Sequence, residues 1–571
     1  MWDGNHSRVI SLPGMLLNLQ LQIADMKKVW LPVITSLLIT GVYSQPAAKP
    51  STVQRPRLVV GIVVDQMRWD FLYRYYDRYG SGGFRRLLSD GFSCENAMIN
   101  YIPSFTAVGH STIFTGSVPA IDGIAGNDWT DQLTGKFYYC TSDSTVQAVG
   151  AANAVDGKMS PRNLLVSTIT DELRLATNFQ SKVVGVSLKD RASILPAGHT
   201  GTAFWFDDST GHFITSTYYM KQLPDWVVKF NDKKCVNQLI EKGWTTLYPI
   251  NTYRQSDPDN NDYEGKYAGE TSSSFPHNLK TIYSKSKYSF RASPFGNTIT
   301  LEFAKQALDG YQLGRGQATD FLTINIASTD YVGHQFGPNS IEIEDTYLRL
   351  DKDLADFFQV LDTKIGKGQY LVFLTADHGV AHNADYMKQH ALPADFWYNS
   401  RVADSLNKML SAKFHVASLV RSVQNYQVNF DLNKIANENV DFDKVKNITV
   451  DYLMKQPGIS FAANMDFIGR YPIPKHLQEM MINGYYFKRS GQVQIILNPG
   501  WYDAYSKTGT THGTWNPYDT HIPLLWYGWN IKAGKLNREV NMTDISATLA
   551  ALLHIQMPNG CIGHVIEEIV K

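Results

Sequence analysis

The sequence predicts an α/β fold: a doubly wound, mostly parallel sheet with helices on both faces. Three observations carry this reading. Four apolar runs recur along the chain: RLVVGIVV (57–64), KVVGVSL (182–188), FLTINIAST (321–329) and QYLVFLTA (369–376). Each is continuous rather than alternating, as in strands covered on both faces. Between the last two lies a helical stripe of Tyr347, Leu350, Leu354, Phe358 and Leu361, so strand, helix and strand follow as in a parallel unit. Each run also stops at charge: Asp65, Lys189 with Arg191 close behind, Asp330, and Asp377. In such sheets ligands bind beyond the carboxyl ends of the strands.

The 571 residues, 43% of them hydrophobic, are enough for a large core. With 53 basic and 53 acidic residues the net charge is zero. Composition thus points to no nucleic-acid partner and no basic membrane surface. No repeat, heptad run or low-complexity block interrupts the chain, and no feature sets an oligomeric state. Residues 57–571 read as one catalytic domain. Two polar or mixed stretches, about 250–296 and 400–490, break the rhythm before VQIILN (493–498) and read as insertions or a cap.

Met26-Lys27-Lys28 followed by VWLPVITSLLITGVYS reads as a signal peptide over 26–44, cleaved after Ser44. The expected location is periplasmic or secreted. Residues 1–25 then precede the true start, Met26, and 45–56 form a linker. The alternative is a membrane anchor, but the apolar stretch is shorter than the roughly 20 residues a span needs. No stable membrane insertion is expected, and no Cys follows the stretch to take a lipid. In an oxidising compartment four cysteines (Cys94, Cys140, Cys235, Cys561) favour disulfides. Cys94 and Cys140 are nearest in sequence and are the expected pair; four buried free thiols are the alternative. Their spacing fits no closed zinc site.

Asp377 and His378 end one run. Asp330 and His334, in STDYVGH, end another, and Asp65 ends a third; His512 lies in the Gly/Thr-rich TGTTHGTW. Singly, such an Asp is a turn former or helix cap and such a His a surface residue. Together, three carboxylates and three imidazoles on one rim call for cations. Mixed Asp/His ligation suits zinc, and six ligands could serve two ions. In NYIPSFTAVGHSTIF a helix is expected from about Phe105 to Phe114, with Thr106 in its first turn. There the helix dipole favours an alkoxide, although Thr106 or Ser104 could simply cap the helix.

At this point VVDQMRWDFL, the Thr106 segment, IAGNDW, SLKDRASILPAGH, STDYVGHQFGPNS, TADHGV and THGTWNPYDTHIPLL together resemble the alkaline phosphatase superfamily. Within it the chain is most similar to the PafA-type monoesterases, relatives of the nucleotide pyrophosphatase/phosphodiesterases. The similarity spans about residues 57–565. It implies that Asp65, Thr106, Asp377 and His378 hold one zinc ion, with Thr106 also the nucleophile. It implies that Asp330, His334 and His512 hold the second. Asn127 matches the phosphate-contacting Asn. Lys189 and Arg191 match the cationic phosphate contacts of the monoesterase branch. The best-known bacterial alkaline phosphatases differ, with a Ser nucleophile and a differently placed Arg. His110, His382 and His521 are assigned no catalytic role, and His110 is expected to be a hydrogen-bonded core residue.

The expected activity is therefore an exported, zinc-dependent hydrolase of small phosphate monoesters, broad in substrate range and working through a phosphothreonine. The nearest rival is a phosphodiesterase on the same fold, which would replace the Lys189/Arg191 pair by an apolar or stacking face. A sulfatase-like reading fails because no Cys lies at the nucleophile position, where the formylglycine of those enzymes needs a Cys or Ser. A metal- or phosphate-binding surface protein without turnover is the rival from another class.

Overall fold

All four apolar runs become strands in the computed structural model, which describes residues 53–571. The expected leader, the segment before it and most of the linker lie outside the described residues. Strands β1 (Leu58–Val64), β2 (Val183–Val186), β3 (Thr202–Asp207), β4 (Asp320–Ile326) and β5 (Tyr370–Thr375) are parallel, in the spatial order β5-β1-β4-β2-β3. Strand β6 (Leu524–Gly528) joins β5 antiparallel. Short strands at both edges complete a ten-stranded sheet. Every residue of β1, β4 and β5 is buried. No position on them faces water, which is why these runs do not alternate.

Four helices set the site. They are α1 (Thr106–Thr115), α2 (Asp190–Ala197), α3 (Ser328–Phe336) and α4 (Ile341–Leu361). The expected stripe on α4 is buried along its whole length. Ser340 caps that helix, its hydroxyl accepting from the Ile343 N–H at 3.2 Å. Strand β4 stops earlier than its apolar run suggests, at Ile326, and α3 starts at Ser328. Asp330 therefore sits in the first turn of a helix and not at a strand end, where the helix dipole favours its charge.

The stretch 250–296 carries short helices and loops, including Leu279–Lys285. The second insertion reaches further than its polar composition suggested. Its strands Val420–Gln424, Gln427–Phe430 and Ile459–Asn464 form one antiparallel sheet with Val493–Leu497. VQIILN is thus a strand of the insertion, buried in a cluster with Leu406, Leu410, Val428 and Leu453. Among the described residues no helix is long and apolar enough to cross a membrane.

The expected Cys94–Cys140 disulfide is not formed: all four cysteines are free thiols. Cys94 is packed in the main core, while Cys140 lies in a separate cluster with Ala107, Ile124 and Trp129. Closeness in sequence did not make closeness in space. Both behave as small buried apolar groups, and burial pushes the Cys94 thiol up to about 12.

Candidate active site

The predicted ligands converge beyond the carboxyl ends of β1, β4 and β5. Asp65 follows β1 directly, and Asp377 and His378 follow β5. Asp330 and His334 lie one turn apart on α3. They form two groups, Asp65/Asp377/His378 and Asp330/His334/His512. Within each, one ligand atom per residue lies within 4.8 Å of the others. The resemblance implied these same groups, with Thr106 added to the first.

The three imidazoles are held alike. Nδ1 of His334 donates to the Thr510 carbonyl (2.9 Å), that of His378 to Gly379 (3.0 Å) and that of His512 to Ser104 (2.8 Å). A carbonyl only accepts, so each Nδ1 carries a proton and Nε2 is the atom left to face a metal; burial alone would lower the His334 pKa, but the Asp330 carboxylate outweighs it and raises it. Those Nε2 atoms face carboxylates: His334 to Asp330 at 3.1 Å, His512 to Asp330 at 3.7 Å and His378 to Asp377 at 3.4 Å. The His378 and His512 rings stack at 3.4 Å. Burial pushes the pKa of His378 and His512 down, and for His512 the facing His378 and His334 add to it. Both stay neutral, the form that binds metal. Asp377 Oδ2 is buried with no hydrogen-bond partner. Imidazole Nε2 atoms gathered with carboxylates, each ring backed by a carbonyl on Nδ1, are the arrangement a transition-metal ligand set requires. The residues present fit two metal ions.

Gln66 is a functional residue that sequence reasoning missed. Its backbone N–H donates to Asp377 Oδ1 (3.1 Å) and its side-chain amide to Asp330 Oδ1 (2.7 Å), so it ties one ligand group to the other. It does this at φ 62°, a strained region for a residue with a side chain. No sequence pattern marks it beyond its place after Asp65. Gly109, on α1, is required by close approach: a Cβ there would sit 2.4 Å from the Asp377 carbonyl oxygen.

Thr106 is the first residue of α1. Its hydroxyl lies 3.3 Å from His378 Nε2 and 3.5 Å from the Lys189 ammonium. It does not cap the helix. Nor does Ser104, whose hydroxyl donates to the Thr514 carbonyl at 2.9 Å. Asn127 accepts the Ala107 N–H on its amide oxygen (2.9 Å), leaving its NH2 as the free end beside the helix start. Lys189 is fully buried; its ammonium contacts Asp65 at 2.9 Å and Asp330 at 2.7 Å, one carboxylate from each group. Burial alone would lower its pKa, but those carboxylates outweigh it and hold it protonated. Arg191 stands further out. It donates to the Tyr139 hydroxyl at 3.0 Å and lines a cleft of about 560 Å³ with Tyr288, Tyr331, Asp330 and His334. Tyr139 and Tyr331 gave no signal in the sequence.

The second insertion touches this centre through Tyr426, which stacks on Phe105 at 6.4 Å and donates to the His512 carbonyl at 3.4 Å. The leftover histidines are engaged elsewhere. His110 Nδ1 donates to the Thr106 carbonyl at 3.0 Å in the core. His382 lies between Arg68 and Asn339, and His521 binds the Glu95 carbonyl.

The sequence profile of type I phosphodiesterases and nucleotide pyrophosphatases matches residues 59–521. Alkaline phosphatase PafA of Elizabethkingia meningoseptica is 53% identical over 95% of this chain and 99% of its own. The chain belongs to the PafA-like alkaline phosphatases of this family. A solved structure of PafA superposes on this PafA-like enzyme with a TM-score of 0.90 at 54% identity, covering 91% of this chain and 100% of that one. Alkaline phosphatase PhoV of Synechococcus elongatus is 52% identical over 92% of this chain and 95% of its own. A protein of Myroides odoratus named calcium-transporting ATPase is 52% identical over 91% of this chain and 95% of its own. Family membership makes the PafA-like chain a metal-dependent hydrolase and sets aside the reading of a binding protein without turnover.

Proposed function

We propose that this enzyme is an exported, zinc-dependent phosphate-monoester hydrolase of broad specificity that works through a phosphothreonine. The observation that carries the reading is the Thr106 hydroxyl at a helix N-terminus, beside two Asp/His ligand groups and within reach of a buried ammonium. Asp65, Asp377, His378 and Thr106 would hold one ion, and Asp330, His334 and His512 the other. Zinc bound there supplies Lewis acidity for the attacking and leaving oxygens of an in-line displacement.

The chain's own residues do the rest. Thr106 gives its hydroxyl proton to solvent, its oxygen attacks phosphorus, and the bond to the ester oxygen breaks. The alcohol leaves and takes up a proton from solvent. A water oxygen then attacks the phosphothreonine, the bond to Thr106 breaks, and inorganic phosphate departs. The helix N-terminus favours negative charge on Thr106 in both steps. Asn127, Lys189 and Arg191 donate to the non-bridging oxygens, where charge-assisted bonds are strong. A second cation at the rim of the cleft favours a dianionic monoester over a diester, which is the nearest alternative. The Met26–Ser44 pattern supports export.

The test is the nucleophile. Thr106→Ala should keep fold and metal content but lose the covalent step. Acid-quenched wild-type enzyme should carry phosphate on Thr106. Label on Ser104 or Ser111 instead would overturn the assignment.

A further inference from the structure

The first hairpin of the second insertion closes in an unusual turn. Val420–Gln424 and Gln427–Phe430 pair antiparallel with Gln424 opposite Gln427, so Asn425 and Tyr426 alone make the turn. Both have positive φ, 56° and 57°, as a type I′ turn requires. Asn suits the first place. The second favours Gly, because a residue with a side chain is strained there. Tyr stands in it instead. Hairpin tips also face water as a rule, yet Tyr426 is only 7% exposed. A strained residue kept in a buried tip needs a reason.

Its contacts supply one. The Tyr426 ring stacks on Phe105 at 6.4 Å and on Trp397 at 6.1 Å. Phe105 directly precedes Thr106, and its ring meets that of His512 edge-on at 5.6 Å. Gly513, next to His512, lies against both aromatic rings: a Cβ there would be 2.4 Å from Phe105 and 3.1 Å from Tyr426. The Tyr426 hydroxyl donates to the His512 carbonyl at 3.4 Å and accepts the Asp503 N–H at 3.3 Å. The other half of the turn reaches the phosphate contact. The Asn425 amide donates to the Asp128 carbonyl at 2.8 Å, and the Gln424 amide donates to the Asp128 carboxylate. Asp128 follows Asn127. On the other side of Asn127, Gly126 leaves the room needed: a Cβ there would lie 2.4 Å from the Asn425 amide nitrogen.

We propose that the Asn425–Tyr426 turn positions the catalytic centre: Asn425 fixes Asn127 through Asp128, and Tyr426 fixes Thr106 and His512 through Phe105 and the His512 carbonyl. This rests on the roles given above to Asn127, Thr106 and His512. One turn of the insertion then holds a phosphate contact, the nucleophile and a metal ligand in register. The insertion's sheet holds the turn in its strained shape, since the Ile495 N–H and the Gln494 amide both donate to the Tyr426 carbonyl, at 2.8 and 3.0 Å. The plain alternative is that Tyr426 only fills the insertion's own core, where it clusters with Leu410 and Leu453.

The test uses full-length, metal-loaded protein and an aryl phosphate. Asn425→Gly keeps the turn, because Gly adopts positive φ freely, and deletes the bond to Asp128. It should lower kcat/KM about 2- to 12-fold. In an Asn127→Ala background that loss should vanish, because Asn425 acts through Asn127. Tyr426→Gly relieves the turn but removes the ring. It should lower kcat/KM roughly tenfold or more and yield metal to a chelator more readily, whereas Tyr426→Phe, which keeps the ring, should retain most of the activity. Leu453→Ala, in the same cluster but on the helix Phe442–Leu453, should lower the unfolding midpoint and leave the kcat/KM of folded protein unchanged. A folded Tyr426→Gly protein with wild-type kcat/KM and metal affinity would overturn the inference. So would an Asn425→Gly loss that persists undiminished beside Asn127→Ala, and this arm decides alone where Tyr426→Gly does not fold. If Asn127→Ala costs nothing, the phosphate role of Asn127 falls and the part of Asn425 with it. If Asn127→Ala is costly and Asn425→Gly harmless, the inference alone falls.

Discussion

Replacing Arg191 by alanine tests where the enzyme tells a monoester from a diester. Arg191 is half-buried at the cleft wall, one guanidinium nitrogen donating to the Tyr139 hydroxyl at 3.0 Å. Burial alone would lower its pKa, but Tyr139, Tyr331 and Asp190 outweigh it, so it stays charged at every working pH. A monoester offers three non-bridging oxygens and a diester two, with an organic group in the third place. One charge-assisted hydrogen bond is worth roughly 1.5–3 kcal/mol, or about 10- to 150-fold if made in the transition state. Arg191→Ala should therefore cut kcat/KM for an aryl phosphate by that factor, and for the corresponding methyl aryl diester far less. Tyr139→Phe removes a neutral anchor and keeps the charge, for a loss of about 2- to 12-fold. That loss should vanish in the double variant, because Tyr139 acts through Arg191. Lys189→Ala is the contrasting control. It also unpairs Asp65 and Asp330, so it should lower both substrates. Equal losses for Arg191→Ala on monoester and diester would refute the reasoning.

Three further outcomes are expected. Gln66→Leu deprives Asp330 of its 2.7 Å donor and should weaken metal affinity by roughly 10- to 100-fold, read by competition with a chromogenic chelator. Gly109→Ala puts a methyl 2.4 Å from the Asp377 carbonyl oxygen. It should cost about 1–3 kcal/mol of stability in denaturant unfolding and lose metal with it. Burial works to raise the Asp171 pKa, but bonds from His199 and backbone amides win and hold it at about 2, against an ordinary 3.8. Because the folded value is the lower one, this stability is complete above about pH 4 and lost as pH falls through 2. It amounts to about 2.5 kcal/mol, and Asp171→Asn should abolish that part of the acid dependence of the unfolding midpoint.

The parts of the site readable in sequence were those marked by contrast. Asp65, Asp377 and His378 stood out because buried strands end in them abruptly. Asp330 and His334 were placed on the wrong element, since an apolar run does not show where a strand turns into a helix. His512 entered as the third imidazole of the set, but its partners, Asn127 and the roles of Lys189 and Arg191 rested on resemblance, because loops carry no periodic signal. Gln66 and Tyr139 were invisible: each acts by orienting another side chain, which depends on folded geometry alone. The second sheet was hidden because VRSVQ and ISFAAN are short, half-polar strands far apart in sequence. The cysteines failed because chain distance is a poor guide to space in a doubly wound fold.

One feature of the centre reaches into how the protein is made. Its ligands run nearly the length of the chain, from Asp65 to His512, and His512 is fastened to the Ser104 carbonyl next to the nucleophile helix. A growing or clipped chain that ends before residue 512 has one ligand group short of an imidazole and the other short of its stacking ring. Contacts this distant in sequence form late. Full metal uptake would then report a finished chain, and partly folded molecules, still without it, could not yet hydrolyse phosphate esters where they are synthesised.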